Sequence, residues 1–527
     1  MLNIPTVTVA KETLDADTDT VTLTVASPAS FTARHLLVRI NAISDATADG
    51  QTVKMRFNGD SGNNYNQQQL KAVSTTETAT RFNSRADIPL YDITDTADAF
   101  TGGEVLIPDA FSTRSHKASV GQFGKVEEGL YLIAGRWANT AAITSVTLLL
   151  TTGKFAALSD FEVCVVDESL VFDEQILTSD GALSVTSITD QDGDLVVIGN
   201  LRSDIGDAAS DTVNFAINDD TTDGNYSSEF MRGESTTPSA VGVANDRNFG
   251  NVAGNTATAG AFGAFVASFP HFNGTVGNKA GTALAGIHSS SSVSYAQTHA
   301  LIRDNTEAIT RIDLIQSAGS AWLAGSMLST YLIPNNSDLI GTASVGSETG
   351  RIELGSDAGS VTFSSIPSSH DHLELSIYAR SDRTNVLDDL LINFNGDTTH
   401  ENYKYERMNG TATTLYASSA GSGYSSVTSI PGGSEAADYF GAGTITILNY
   451  TKDDRDKFFF GTLGSADARH SLNSNRWEDT SAITSILLDS AAGTNLVTGT
   501  VFELRGISSD IPALTPTVTF IPETRMF

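Results

Sequence analysis

The residues that come nearest to a catalytic arrangement are a Gly-Asp-Ser turn and an Asp-x-x-His pair far along the chain. Ser61 follows Gly59 and Asp60, as in the nucleophile turn of one class of hydrolases, and Asp467 stands three residues before His470. The internal repeat described below places threonine where Ser61 stands. The alternating strands and helices that such hydrolases need are also missing from the pattern. The sequence therefore predicts a protein that is not an enzyme.

A cluster of carboxylates offers the one cofactor hypothesis, which is calcium. Asp190, Asp192 and Asp194 lie within a single short run, and carboxylate oxygens are ligands that Ca²⁺ prefers. The twelfth position of an EF-hand loop counted from Asp190 is Leu201, so that motif is incomplete. The alternative is an acidic turn between strands, and no other cofactor is expected.

Other residues with ligand chemistry stand alone. His370 and His372 are one strand period apart but have no recognisable third ligand, so we interpret them as surface histidines. Cys164 is the single cysteine and can form no internal disulfide. Because it lies in an apolar run, it is predicted to be a core residue.

Composition excludes several classes of partner. The chain has 527 residues with 31 lysines and arginines against 62 aspartates and glutamates, a formal net charge of −31. Nucleic acid and anionic membranes both favour basic proteins, so neither is expected as a partner. No basic region followed by an apolar core opens the sequence, which predicts synthesis in the cytoplasm.

The most informative feature is an internal repeat with two markers. The first is an Asn-Gly-Asp type loop that ends in Asn-Tyr, and it occurs three times, beginning at Phe57, Ile217 and Phe394. The second is Asn-Thr-Ala-Ala-Ile-Thr or a close variant, beginning at Asn139, Asn305 and Asp479. The same order at nearly the same period predicts modules at 20–170, 176–338 and 350–510, each of ordinary domain size.

The segments around both markers read as strands. Val53, Met55 and Phe57 alternate with polar residues, which predicts a strand with one buried face. Near the start of the third module Glu374 and Ser376 alternate with apolar residues and are expected to face water. No comparable helical run occurs. The predicted fold is all-β, with three tandem jelly-roll-like antiparallel β-sandwich modules.

The repeated loop has a structural rationale. Asn, Gly and Asp tolerate positive φ and hydrogen-bond to nearby backbone, so they favour a tight turn. A tyrosine at the end of the turn can pack its ring over the sandwich and leave its hydroxyl in water. The predicted structural-loop residues are Asn58, Asp60, Tyr65, Asn218, Asp220, Tyr226, Asn395, Asp397 and Tyr403.

Together these residues resemble a module of tailed-bacteriophage virion proteins, especially those of marine and cyanobacterial phages. The resemblance lies in Phe-Asn-Gly-Asp after an apolar strand, Asn-Tyr, and the run from Leu132 to Leu148 that contains Trp137. The third copy fits well and has Trp477 at the matching position, whereas the middle copy has Arg303 there. The resemblance covers most of the chain, and it transfers no catalytic residues.

What the resemblance implies is a non-enzymatic virion structural protein. It would be an exterior decoration, an appendage or a tail-associated component, assembled in the host cytoplasm with other capsid or tail proteins and forming a homo-oligomer. The alternative is a glycan-binding adhesin or a tail-fibre receptor-binding protein that contacts a host surface glycan. Exposed aromatic rings would serve that alternative, and the candidates are Tyr65, Tyr226, Tyr403, Tyr416 and Tyr424.

Both ends of the chain fall outside the repeat. Residues 511–527 contain Pro512, Pro516 and Pro522 and are expected to run extended. Residues 1–19 carry a short alternating run around Val7 and Val9. We interpret both segments as arms that add a strand either to a neighbouring subunit or to their own modules.

Overall fold

The computed structural model describes residues 5–25, 34–46, 50–126, 128–189, 193–290, 292–334, 339–344, 349–420, 425–465 and 469–508. Nearly all regular structure in these ranges is antiparallel β-strand, so the predicted all-β class is confirmed. The helical elements among the described residues are three short 3-10 turns at Glu168–Leu170, Asp223–Asn225 and His400–Asn402.

The first pair of sheets uses residues between Thr6 and Val166. Its large sheet has eight strands in the order β1-β12-β3-β8-β9-β10-β5-β6, and its small sheet has the order β2-β11-β4-β7. The strands are β1 (Thr6–Thr13), β2 (Thr20–Thr24), β3 (Leu36–Ala42), β4 (Gln51–Phe57), β5 (Tyr65–Val73), β6 (Thr76–Arg85), β7 (Ile88–Ile93), β8 (Thr101–Ile107), β9 (Lys117–Lys125), β10 (Gly129–Trp137), β11 (Ser145–Leu150) and β12 (Asp160–Val166).

The second pair uses residues between Val171 and Pro334. Its large sheet has the order β13-β24-β15-β20-β21-β22-β17-β18 and its small sheet the order β14-β23-β16-β19. The strands are β13 (Val171–Ile176), β14 (Leu183–Val185), β15 (Gly193–Leu201), β16 (Ser210–Ile217), β17 (Tyr226–Glu234), β18 (Thr237–Ala244), β19 (Asn248–Ala253), β20 (Gly263–Phe269), β21 (Lys279–His288), β22 (Ser294–Arg303), β23 (Ile312–Gln316) and β24 (Met327–Pro334).

The third pair uses residues between Thr342 and Ile507. Its large sheet has the order β26-β37-β28-β33-β34-β35-β30-β31 and its small sheet the order β25-β27-β36-β29-β32. The strands are β25 (Thr342–Ala343), β26 (Arg351–Glu353), β27 (Ser360–Ser364), β28 (His372–Ala379), β29 (Leu387–Phe394), β30 (Tyr403–Thr411), β31 (Thr414–Ala420), β32 (Ser426–Pro431), β33 (Gly441–Ile447), β34 (Lys457–Ser465), β35 (Arg469–Trp477), β36 (Ile486–Ser490) and β37 (Val501–Ile507).

The segment that the sequence assigns to an N-terminal arm belongs to the first large sheet. Strand β1 pairs antiparallel with β12, with Thr6 opposite Val166 and Thr13 opposite Asp160. The backbone of β1 thus finds its hydrogen bonds within its own sheet pair, which is the second of the two interpretations given for this segment. The predicted C-terminal arm, 511–527, lies outside the described residues.

Each sheet pair encloses its own apolar core. The strand that precedes the repeated loop contributes alternate side chains to it, and Phe57, Ile217 and Phe394 are all fully buried, as the alternation predicts. Cys164 is also fully buried, which confirms its prediction as a core residue. Burial raises the pKa of its thiol to about 11.

A further apolar cluster is shared by all three sheet pairs. It takes the opposite faces of the large sheets, including Leu37 and Leu132 from the first pair, Val196 from the second, and Met408 and Leu472 from the third. The central strands of the large sheets are therefore buried on both faces, and the three pairs close around this shared core. The shared core is the main respect in which the molecule differs from three independent sandwiches.

The shared core corrects one expectation. Glu374 and Ser376 on β28 do not face water, because only 5% and 3% of their surfaces are exposed. Their side of the sheet packs toward the neighbouring sheet pairs instead. The same face of β15 carries Val196 and Ile198, which makes that strand apolar on both sides.

Candidate functional site: repeated loops and the seams between sheet pairs

The loop after β4 is held by the side chain of Asn58. Its Nδ2 donates to the carbonyl of Ala142 at 2.8 Å, and its Oδ1 accepts from the backbone N–H of Thr144 at 2.7 Å. Asn58 itself has a φ of 52°, a left-handed conformation that Asn tolerates better than most residues. Asn218 and Asn395 make the same two bonds in the other copies, at 2.8 and 2.8 Å and at 2.8 and 2.7 Å respectively.

The aspartate of the loop is an acceptor whose oxygens are already occupied. Asp60 accepts from the Gly62 N–H at 2.8 Å, from Asn64 Nδ2 at 2.9 Å and from Trp137 Nε1 at 2.7 Å. Burial acts to raise the pKa of Asp60, but these donors outweigh it and lower the pKa below its usual value. Asp397 is held in the same way by Thr399, Asn402 and Trp477.

The middle copy keeps this arrangement with one substitution. Asp220 accepts from the Thr222 N–H at 3.0 Å and from Asn225 Nδ2 at 2.8 Å. Arg303 stands in place of the tryptophan and lies 3.5 Å from the Asp220 carboxylate through Nε. The divergent residue therefore replaces an indole donor with an ion pair at the same carboxylate. The second and third loops also contain the two 3-10 turns, since each is one residue longer than the first.

The tyrosines that end these loops are buried with their hydroxyl groups. Tyr65 is fully buried, and its Oη accepts from the Phe57 N–H at 2.9 Å and donates to the Asp60 carbonyl at 3.1 Å. The expectation that these hydroxyls lie in water is therefore wrong, because each satisfies two backbone groups of its own turn. Tyr226 and Tyr403 are bonded likewise. Their rings are not available to stack on a sugar.

Two further tyrosines, Tyr416 and Tyr424, were candidates for an exposed glycan-binding site. Tyr416 is half-buried, with the Arg469 guanidinium over its ring at 5.9 Å, and Tyr424 lies outside the described residues.

The hydrolase-like residues are separated in the structure, because Ser61 is in an exposed loop of the first pair whereas His470 is fully buried between the second and third pairs. Asp467 lies outside the described residues.

The calcium candidates are placed as follows. Asp194 is buried, and its two oxygens accept from the His271 N–H at 3.0 Å and from Arg505 Nη1 at 3.0 Å. Asp190 and Asp192 lie outside the described residues. In the part of the chain that the structure describes, no group of three or more His, Cys, Asp or Glu side chains could hold a metal ion.

Aspartates elsewhere serve the turns. Asp204 accepts from the backbone N–H groups of Ser320 at 2.6 Å and Ala321 at 3.0 Å. Asp382 accepts from Thr494 at 2.6 Å and Asn495 at 3.0 Å. These two aspartates therefore serve as hydrogen-bond acceptors for backbone N–H groups of neighbouring turns.

The three sheet pairs meet at three seams, which we name 1–2, 2–3 and 3–1 after the pairs they join. At each seam a backbone N–H donates to a carbonyl of the next pair, just before the first residue of β9, β21 or β34. The three bonds are His116 to Gly260 at 2.9 Å, Asn278 to Asp438 at 2.7 Å, and Asp456 to Asp98 at 3.0 Å. Because the direction is the same each time, the contacts run head to tail and close a ring.

The seams also share a close approach that requires glycine. Gly124, Gly286 and Gly464 occupy the same place in β9, β21 and β34, and none has positive φ. A Cβ atom on any of them would clash with the residue of the adjoining pair that faces it, which is Ser474, Ala134 and Ala300 respectively. Glycine is needed here for room rather than for backbone freedom.

Exchanging the glycine and the alanine that face each other across seam 1–2 tests this packing. Gly286→Ala is expected to lower the free energy of unfolding by about 1–3 kcal/mol, because the added methyl overpacks against Ala134. Adding Ala134→Gly should restore most of the loss, since the total volume is then unchanged. Gly206→Ala is the control, because nothing lies within 4 Å of its Cβ position. Chemical denaturation of the wild type, the three single variants Gly286→Ala, Ala134→Gly and Gly206→Ala, and the double variant measures the effect. Losses in the double variant equal to the sum of its two single variants would contradict the close approach.

Seam 3–1 joins the two pairs that are not consecutive in the chain, and it is strongly polar. Arg455 is 1% exposed in its side chain and reaches Asp160 at 2.6 Å, and its guanidinium lies 4.1 Å from the ring of Phe100. His372 Nε2 lies 3.1 Å from Glu162. His372 is therefore buried at this seam, and its interpretation as a surface histidine is wrong.

Leu158 at the same seam has a left-handed backbone conformation, whereas the matching positions of the other two sheet pairs are glycines. Its φ is 71°, whereas Gly325 and Gly499 have 92° and 89° at the matching positions. A leucine in the left-handed region is strained, since its Cβ crowds the following carbonyl. Its own carbonyl accepts from Arg455 Nη2 at 2.9 Å, which fixes the backbone there.

Relief of this strain should be measurable. Leu158→Gly is expected to raise the free energy of unfolding by about 0.5–1 kcal/mol, the strain relieved less the entropy of a new glycine. Leu158→Ala keeps the Cβ atom and should give no such gain. Thermal melts of both variants decide the matter, and equal effects from the two substitutions would show that the strain is absent.

Sequence reasoning missed three buried lysines that begin β9, β21 and β34. Lys117 donates through Nζ to the carbonyls of Ser112 at 2.6 Å, Ser115 at 3.0 Å and Thr140 at 3.2 Å. Lys279 and Lys457 likewise bind backbone carbonyls. Each stands directly opposite the Trp or Arg of the repeat in the sheet register. Aligning the three copies on that position would have revealed them.

Fold and contacts together define an all-β protein whose layered antiparallel sheets close around a shared core. No helix among the described residues is long and apolar enough to cross a membrane.

Comparison with known proteins adds no identity to this description. No family model matches the chain, and no curated protein matches it. A solved structure described as the triple jelly roll fold and turret assembly of an archaeal virus is 9% identical, covers 92% of this chain and 83% of that chain, and has a TM-score of 0.11. OccK7 (OpdD) of Pseudomonas aeruginosa is 9% identical over 87% of this chain and 99% of that chain, with a TM-score of 0.09. Such low TM-scores carry no argument about fold or function.

Proposed function

We propose that this chain is a non-enzymatic structural protein of a bacteriophage virion, an exterior decoration, appendage or tail-associated component. The observation that supports the proposal most directly is the closed ring, in which three sheet pairs share one apolar core and repeat the same contacts at each seam. A chain built this way is a self-contained block suited to assembly through protein–protein contacts.

The chemistry of the loops supports the same role. The polar atoms of the repeated loop residues, which an active site would hold open to a substrate, are occupied by hydrogen bonds within the protein. The tyrosines bond within their own turns, the asparagines bond to the second repeat marker, and the aspartates bond to both their turn and, in two copies, a tryptophan. Because their oxygens already accept hydrogen bonds within the protein, they favour a structural role over a catalytic one. Partners in the particle would be capsid or tail proteins and further copies of the chain.

The arrangement of the seams also suggests where such a block fits. Three equivalent seams running head to tail give one chain the approximate symmetry of a trimer. A particle position with threefold symmetry could therefore be occupied by a single copy. This predicts one copy for each such position rather than three.

Quantitative mass spectrometry of purified particles tests the proposal. Particles from the virus that encodes the chain are purified on a density gradient, and the chain is counted against the major capsid protein. The protein should co-purify with particles after a high-salt wash, whereas an abundant host enzyme used as a control should be removed. Hundreds of copies would indicate the capsid and a handful the tail. Abundance in the lysate with none in washed particles would refute the proposal.

A further inference from the structure

A group of basic side chains is buried at seam 1–2. Ala134 of β10 and Gly286 of β21 face each other across this seam. Alternate residues of a strand share a face, so Arg136 and His288 follow them on the same faces. Arg136 lies close enough for its charge to act on His288 and also on His116. These three side chains, which come from both sheet pairs, are named the Arg136 cluster.

One loop of the second pair connects the two histidines. The backbone N–H of His116 donates to the Gly260 carbonyl at 2.9 Å. In the same loop the N–H of Thr258 donates at 2.7 Å to the carbonyl of Ser289, the residue after His288. The histidines therefore lie on either side of this short loop. His116 is partly exposed, so a solute can approach the cluster past its ring.

The Arg136 guanidinium is a buried charge without an anion. Only 7% of the residue is exposed, and neither Nε nor Nη1 has a hydrogen-bond partner among the described residues. Burial lowers its pKa, but a guanidinium stays protonated in proteins, so it cannot lose its charge as a buried carboxyl can. Burying such a charge without a counter-ion is costly.

A second permanent charge lies beside the cluster. Arg202 donates to four backbone carbonyls of residues 255–261, at 2.8 to 3.4 Å, and pairs with no carboxylate among the described residues. Burial, together with the charge of Arg136, lowers the pKa of His116 to about 4 and that of His288 to about 3. Both rings are therefore neutral near pH 7, and each has one N–H to donate.

The equivalent positions at the other seams carry balanced or uncharged residues. At seam 3–1 the counterparts of the arginine and of the histidine before β9 are Arg476 and Asp456, which form an ion pair at 3.6 Å. At seam 2–3 they are Ile302 and Asn278, neither of which is charged. Seam 1–2 therefore keeps the arginine, as Arg136, without the carboxylate that accompanies it at seam 3–1.

We infer that the Arg136 cluster binds a small inorganic oxyanion with two negative charges, of the sulfate or phosphate type. Arg136 supplies charge-assisted N–H donors, and His116 and His288 each supply one more. A dianion balances the charges of Arg136 and Arg202 together. Because the cluster draws on two sheet pairs, the bound anion joins them across the seam. This inference does not depend on a role in a virion.

Isothermal titration calorimetry of the full chain with sodium sulfate tests the inference. In chloride buffer at pH 7 and constant ionic strength, one saturable site is expected, and sodium acetate, a monoanion, should bind much more weakly. The melting temperature should rise in the same saturable way. Sulfate also stabilises proteins in general through exclusion from their surface, which adds a trend without saturation. A response that shows only this trend would overturn the inference.

Two matched arginine variants locate the site. Arg136→Ile introduces the residue found at seam 2–3 and should abolish sulfate binding. In sulfate-free buffer its melting temperature should equal or exceed that of the wild type, because the unpaired charge is gone. Arg476→Ile is the control, and it should keep sulfate binding but lower the melting temperature, since Asp456 loses its cation. Undiminished sulfate binding by Arg136→Ile would refute the site.

A third variant gives the seam an internal anion. His116→Asp places at seam 1–2 the carboxylate that Asp456 supplies at seam 3–1. It should raise the melting temperature in sulfate-free buffer and weaken sulfate binding roughly tenfold or more, because the new carboxylate competes for Arg136. This variant also decides the question if Arg136→Ile does not fold. Sulfate binding as tight as that of the wild type would then count against an anion site at Arg136.

Discussion

Arg455→Met is expected to lower the free energy of unfolding by about 3–5 kcal/mol, the usual cost of removing one partner of a buried ion pair. The guanidinium binds Asp160 at 2.6 Å, Asn41 at 3.1 Å and the Leu158 carbonyl at 2.9 Å, all on the first sheet pair. Methionine has a similar unbranched length but loses the cation over the Phe100 ring and leaves the Asp160 carboxylate buried without its cation. The loss is expected in a chemical denaturation curve at neutral pH.

Two further variants isolate the ion pair. Adding Asp160→Asn to Arg455→Met removes both charges and should recover part of the loss, since no buried charge is then left unpaired. Arg311→Met is the control, because Arg311 pairs with Asp219 and Asp313 at the surface and should change the curve little.

The location of the effect is a sharper readout than its size. Seam 3–1 is closed by non-covalent contacts, so Arg455→Met should raise amide hydrogen exchange first along β12 and its partner β1. Exchange in the second sheet pair should stay as in the wild type. A uniform rise over the whole chain, or none, would contradict a local role at this seam.

The period-two alternation in the sequence correctly predicted burial of the inner faces of the sheets, but it did not predict burial of their outer faces. Phe57, Ile217 and Phe394 are buried as that pattern predicts. The polar residues between apolar ones were expected in water, and Glu374 shows why this failed, because the outer face of its sheet is covered by other parts of the same chain. A pattern local to one strand carries no information on such long-range burial.

One signal for this burial was present in the sequence. Strand β15 reads Leu-Val-Val-Ile without polar interruption, which is typical of a strand buried on both faces. The close approaches at the seams pair Gly with Ser or Ala, small residues whose types predict little. Only the equivalence of Gly124, Gly286 and Gly464 across the repeat marks them, and their role depends on what lies opposite.

Side-chain chemistry was predicted less well than strand position. The Asn-Gly-Asp loop was expected to be a turn, but the link from Asp60 to Trp137 joins residues far apart in sequence. The buried histidines were likewise hidden, since nothing in the residues around His372 or His470 shows that another sheet pair covers them.

The buried histidines make stability depend on acid, and His470 shows the effect most clearly. It is fully buried at seam 2–3, and its Nε2 lies 2.7 Å from Thr298 Oγ1 of the second pair. Burial lowers the pKa of His470 to about 3. His299 is also buried, and burial together with His470 and Arg232 lowers its pKa well below the usual value.

The direction in which pH changes stability follows from how the folded and the unfolded chain bind protons. A histidine whose pKa is lowered by folding stays neutral in the folded chain while the unfolded chain takes up a proton below about pH 6.5. Its contribution to stability is therefore complete above pH 6.5 and is lost as the pH falls toward 3. For His470 the loss between pH 6.5 and pH 4 is expected to be about 3 kcal/mol.

Other groups oppose this trend, so the wild-type profile alone does not isolate His470. Burial raises the pKa of Glu374 and of Glu503 to about 7, and such carboxyls favour the folded state as the pH falls from 7. The useful quantity is the difference between wild type and a variant that cannot titrate. His470→Gln removes the titration and keeps an amide near Thr298.

The free energy of unfolding of wild type and of His470→Gln should therefore be compared at pH 7 and pH 4. The variant is expected to lose less stability on acidification, so that the difference between the two proteins moves by about 3 kcal/mol in its favour. Ser471→Ala, a non-titrating change on the same strand, should keep a constant difference from wild type. A constant difference for His470→Gln as well would show that His470 does not carry the acid sensitivity of seam 2–3.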